Sequence, residues 1–164
     1  MRKDSARIDC NGAVDEAQAA IGLARALVGS GGAPAPDWLG DLLVTVERDL
    51  WVLMAEVATA PRNRARLTPA ASLVTPDMVG ALENKVHEIE ASIEMPAEFV
   101  VPGEDVASAA LDVARTVVRR AERLAVKAAV APDSQVVPYL NRLSDLIWLL
   151  ARVVEGHHRT ARSA

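Results

Sequence analysis

The stretch LDVARTVVRRAER, Leu111–Arg123, decides the fold, because it places four arginines and a glutamate in an unbroken run without proline or glycine. At 3.6 residues per turn, Arg115, Arg119, Glu122 and Arg123 share one stripe of a helix, with Arg120 beside them. Val113, Val117 and Leu124 then fall on the opposite side. Residues three and four apart on a helix are neighbours, so stacked guanidinium groups repel unless an anion lies between them. Arginine suits an anionic ligand because its planar fork holds phosphate or carboxylate oxygens in pairs and keeps its charge when desolvated. A solvated helix face accounts for the same spacing, and both readings stay open on periodicity alone.

Working outward, the 164 residues are 51% hydrophobic, long enough to bury a core and short enough for one domain, 1–164. Alanine, valine and leucine dominate, and the aromatic content of 3% suits closely packed helices. A net charge of −4 argues against general nucleic-acid binding, which needs a basic face to displace counterions. The single cysteine, Cys10, excludes an intrachain disulfide and a multi-cysteine metal site, and it reads as a buried inert thiol. No metal ligand set is found: His87 stands alone, and His157-His158 lie in a basic tail. No apolar segment reaches membrane-spanning length without a charge, so a cytoplasmic location with no membrane partner is expected.

Helix signals recur along the chain. Residues 1–10 read as a polar N-terminal arm, with Asn11-Gly12 as a turn leading into a helix over Val14–Val28. Asp37 is the expected N-cap of a long central helix reaching Ala60, and Pro61 ends it. Arg62–Thr75 is a basic connection long enough to move or to cover a site. Thr75 caps and Pro76 opens a third helix to Ser92. Phe99-Val100-Val101, bracketed by Pro96 and Pro102-Gly103, is either a strand-like lid or a plug in the core. The arginine helix starts at Glu104 or Asp105 and ends before Pro132, and a last helix runs from Ser134 to Glu155, with Gly156 as its stop. Residues 157–164 read as a flexible basic tail. The sum is an all-α bundle of five helices, with no convincing strand.

Three segments together resemble the trimeric, PduO-type ATP:corrinoid adenosyltransferases. They are Lys3-Asp4 with Gly12-x-Val14-Asp15-Glu16 and Ile21-Gly22; Phe99-Val100-Val101-Pro102-Gly103 leading into Ala114–Arg123; and Leu140-Asn141-Arg142-Leu143-Ser144-Asp145. The resemblance implies a cobalamin adenosyltransferase-like five-helix bundle, a homotrimer with sites between subunits, and transfer of the 5′-deoxyadenosyl group of ATP to the cobalt of a reduced corrinoid. It implies that Lys3, Arg119, Glu122, Arg123 and Asn141 bind ATP, with magnesium on the phosphates, and that Arg119 and Arg123 act in catalysis. Asp15 is implied to face Arg119 across the subunit boundary, with Arg115, Arg120 and Asp145 as supporting charges. Phe99 matches the aromatic that displaces the lower ligand of cobalamin, an apolar ring that fills that face without donating a lone pair.

The sequence also departs from the family pattern. The Gly/Thr-rich segment of the kind TRTGDxGxT, whose amides wrap ATP phosphates, has no counterpart here. Glu104 stands in the family's PGG and Asp112 replaces its histidine, adding negative charge near an anionic nucleotide. An alternative expectation therefore accompanies the first: a catalytically impaired paralogue that carries or senses corrinoid, or a structural subunit that assembles with an intact homologue.

Overall fold

The computed structural model describes residues 5–30, 35–128, 130–157 and 159–161. Five α-helices make up its bulk: α1 (Ala6–Gly29), α2 (Trp38–Ala58), α3 (Pro76–Glu90), α4 (Val106–Lys127) and α5 (Val136–Glu155). Two strands of two residues, β1 (Val100–Val101) and β2 (Arg159–Thr160), pair antiparallel with Val100 opposite Thr160. The expectation of no strand is thereby corrected. Two residues on each side lack the alternation that would reveal a strand in sequence.

Helix α1 packs chiefly on α4 and α2, α4 on α5, and α3 on α5. Helices α1 and α4 both bury alanines completely, Ala17 and Ala24 on the first and Ala114, Ala121 and Ala125 on the second, small side chains that let packed helix backbones approach closely. Leu111, Ala114, Val118, Ala121 and Ala125 form the true inner face of α4, at alternating spacings of three and four. Of the residues opposite the arginine stripe, Val113 is 58% exposed, while Val117 and Leu124 are partly buried against the core. Small alanines mark the buried face better than bulky valines, because the closeness of packing selects them. The central helix is α5, with thirteen of its 20 residues buried against seven of 21 in α2. Tyr139 at its start is fully buried and donates to Asp49 Oδ2 at 2.9 Å. Burial holds the Asp49 carboxyl above its ordinary range, partly offset by that hydrogen bond.

Capping follows the sequence in part. Thr75 Oγ1 accepts from the Met78 amide, and Asp105 accepts from the amides of Ala107 and Ser108, each satisfying donors at a helix start. Helix α1 begins at Ala6 rather than Val14, which shortens the expected arm. Cys10 and Ala13 are buried, and Arg7 donates to the carbonyls of Val57 and Thr59, closing the end of α2. The basic connection after α2 is likewise anchored: Pro61–Arg66 forms a 3-10 turn. The buried Glu56 carboxylate accepts from Arg64 at 2.6 Å, the Val74 amide at 2.8 Å and Ser134 at 2.6 Å. That network ties the connection to α2 and to the start of α5, and neither Glu56 nor Arg64 lines the cleft at Phe99.

Candidate functional site

Between the β1 segment, α4 and the C-terminal half of α5 lies an open cleft of about 580 Å³. Phe99, Val100 and Pro102 form one wall, Arg115 and Asp112 come from α4, and Trp148 and Arg152 from α5. Phe99 is 89% exposed, so the lid reading of its segment stands and the core plug is excluded. At the base, Arg152 Nη2 donates to Asp112 Oδ2 at 2.6 Å and to Glu155 Oε2 at 2.9 Å. Ser108 donates to the same Glu155 oxygen at 3.2 Å, and Arg115 Nε reaches Asp112 Oδ1 at 3.3 Å. The Arg152 guanidinium lies 5.5 Å from the Trp148 ring centroid.

Asp112, Arg152 and Glu155 are all buried, so each charge depends on its partners for compensation. The negative charge expected at Asp112 is cancelled by two guanidiniums. Glu104 is similarly occupied: Arg159 Nε lies 3.1 Å from it and His157 Nε2 3.8 Å. The residues expected to form a loose tail thus include 159–161, which are paired to β1. Arg152, Trp148 and Glu155 escaped the sequence reading. Their signal was an arginine and a glutamate three residues apart within the apolar run LIWLLARVVE.

The remaining expected residues gather elsewhere on α4 and α5. Asn141 Nδ2 donates to Glu122 Oε1 at 3.1 Å, joining the two helices. Arg123 donates to the Arg119 carbonyl at 3.0 Å, and both arginines are exposed. Arg119 makes no ion pair among the described residues, and neither it nor Glu122, Arg123 or Asn141 lines the cleft. Arg120 pairs with Glu16 of α1, while Asp15 is exposed. Asp145 accepts from Arg142 at 3.1 Å, and Arg142 also lies 3.6 Å from Glu83 on α3. Lys3 lies outside the described residues. The expected site is therefore split: Phe99 and Arg115 at the cleft, and Arg119, Glu122, Arg123 and Asn141 on an open face. Arg115 and Arg119 are one turn apart on α4, about 6 Å along its axis, so a single rigid helix connects the two parts.

Residues 1–154 match the family model described as cobalamin adenosyltransferase. The chain belongs to that family. Its relatives include a corrinoid adenosyltransferase of Mycobacterium tuberculosis, 39% identical over 157 residues that cover 93% of this chain and 78% of the relative. Another, from Bacillus subtilis, is 32% identical across 94% of this chain and 77% of its own. A variant PduO-type ATP:corrinoid adenosyltransferase from Lactobacillus reuteri, solved with cobalamin and ATP, superposes with a TM-score of 0.85. It is 25% identical, and the match covers 99% of this chain and 90% of that one. The all-α architecture expected of a cobalamin adenosyltransferase is thus the one observed, with the β1–β2 pair added at the cleft. Among the described residues, no helix is long and apolar enough to cross a membrane, and no cluster of three or more His, Cys, Asp or Glu is placed to hold a metal ion.

Proposed function

We propose that this protein is an ATP:corrinoid adenosyltransferase. It would transfer the 5′-deoxyadenosyl group of ATP to the cobalt of a reduced corrinoid and release triphosphate. The observation that carries this reading is the pairing, on one helix of a family member, of an apolar-walled cleft at Phe99 and Arg115 with an open arginine face beginning one turn later. In the reaction, the cobalt(I) lone pair attacks C5′ of ATP, a cobalt–carbon bond forms, and the C5′–oxygen bond breaks. Its electron pair leaves with the triphosphate. The metal is itself the nucleophile, so the chain needs only to align the reactants and to stabilise charge on the leaving group.

In this reading Arg119 and Arg123 bind the triphosphate with Lys3 and magnesium, while Glu122 and Asn141, already bonded to each other, hold the nucleoside end. The exposure of Arg119 in one chain fits a site completed by a second subunit, with the partner's Asp15 opposite it, in a cytoplasmic homotrimer. Phe99, carried on the cleft wall with its ring free, occupies the lower face of the corrinoid and keeps other ligands from the cobalt. The buried charges beneath it keep Arg115 aimed along α4.

Incubating purified protein with reduced cobalamin, ATP and magnesium tests the proposal. The expected result is the absorption spectrum of the cobalt–carbon bond, with triphosphate released in equal amount. Corrinoid binding without any spectral change at saturating ATP overturns it in favour of a carrier.

A further inference from the structure

Phe99 is placed by its backbone rather than by packing, since its ring is 89% exposed. Among the described residues, the backbone of 93–104 bonds to other elements only through the C-terminal strand. Val100 and Val101 pair with Thr160 and Arg159, and the Ala161 amide donates to the Phe99 carbonyl at 2.8 Å. At the far end of the pairing, Arg159 Nε lies 3.1 Å from Glu104 Oε1. Glycines bound both segments in conformations that L side chains disfavour, Gly103 at φ 122° and Gly156 at φ 66°. Gly156 ends α5 and turns the chain back toward the cleft, where Ala161 forms part of the wall. An isolated two-residue ladder is marginal in water, so the Glu104–Arg159 pair and the Ala161 hydrogen bond decide whether it holds.

We propose that the C-terminal strand, latched by Glu104 and Arg159, positions Phe99 against the lower face of the bound corrinoid, which makes Glu104, Arg159 and Ala161 positioning residues. The proposal rests on the corrinoid reading of the cleft. The latch uses Glu104, whose carboxylate lies 3.1 Å from Arg159 Nε and 3.8 Å from His157 Nε2, both in the segment that follows α5.

Four variants of the full chain test it: Ala161→Pro, which removes the amide donor; Glu104→Gln; Arg159→Gln; and the exchange of Glu104→Arg with Arg159→Glu. Amide hydrogen exchange at Val101, whose pairing with Arg159 is the hydrogen-bonded one next to the Ala161–Phe99 bond, is expected to quicken about tenfold in Ala161→Pro and about two- to fivefold in the single charge variants, with recovery in the exchanged pair. The KM for corrinoid should rise in the same order, and the four-coordinate fraction of bound cob(II)alamin, read by electron paramagnetic resonance, should fall. The KM for ATP and the melting temperature should stay constant. Unchanged exchange in Ala161→Pro overturns the proposal. So does faster exchange with an unchanged KM for corrinoid, because the strand then holds nothing the ligand uses. Parallel losses in ATP affinity and melting temperature overturn it as general destabilisation. If the wild-type protein binds no corrinoid, the reading of the cleft falls, and the exchange rates still decide whether the latch exists.

Discussion

The cleft and the arginine face stand on the same helix and are built in opposite ways. At the cleft, every charge on α4 is matched within the chain: Asp112 lies between Arg152 and Arg115, with Glu155 completing a buried set. On the face one turn further, Arg119 and Arg123 are exposed, and among the described residues the Arg123 guanidinium donates to the Arg119 backbone carbonyl rather than to a carboxylate. The first region is finished by a single chain. The second presents charge without a counter-charge, as a surface does when ligand or partner supplies the anion.

The difference gives the two regions separate signatures. Arg152→Met should cost about 3–5 kcal/mol of stability, since it leaves two buried carboxylates without their shared cation. Chemical denaturation should show this as a lowered midpoint, and an unchanged midpoint would mean that water reaches the cleft base. Arg119→Ala should do the reverse, leaving stability within about 0.5 kcal/mol and lowering kcat by about 100-fold or more, as loss of a leaving-group contact does. Single-turnover rates at saturating ATP measure it, and a large loss of stability would show that the face is structural. Asn141→Ala should raise the KM for ATP about fivefold by releasing Glu122, with corrinoid binding unaffected.

The smallest expected effect tests the packed seam that holds both regions in place. Burial raises the Cys10 thiol to about 11, with Arg7 acting weakly in the opposite direction. A folded-state value above the unfolded one means the contribution is whole below about pH 9 and is lost as pH rises through about 11. The slope of stability against pH between 9 and 11 should therefore flatten in Cys10→Ala relative to wild type.

Much of this was legible in the chain itself. The caps at Thr75 and Asp105, the break at Gly156 and the arginine motif are local signals, because a helix start needs acceptors for its free amides and a stop needs an unusual φ. The buried face of α4 was less legible, since the alanines that mark it owe their burial to the approach of neighbouring helices rather than to their own size. The extra turns of α1 were hidden for a similar reason: Arg7 bonds to the end of α2, far away in sequence.

By itself, then, the sequence determined five helices, their punctuation and the family whose chemistry they serve, because hydrophobic period and capping act over a few residues. Only the tertiary structure decided that α5 is the centre, that Asp112 and Glu104 are neutralised, and that the C-terminal residues pair with the strand bearing Phe99. Those outcomes depend on groups far apart in the chain, and a charge or an apolar ring shows its role only against the neighbours that folding brings to it.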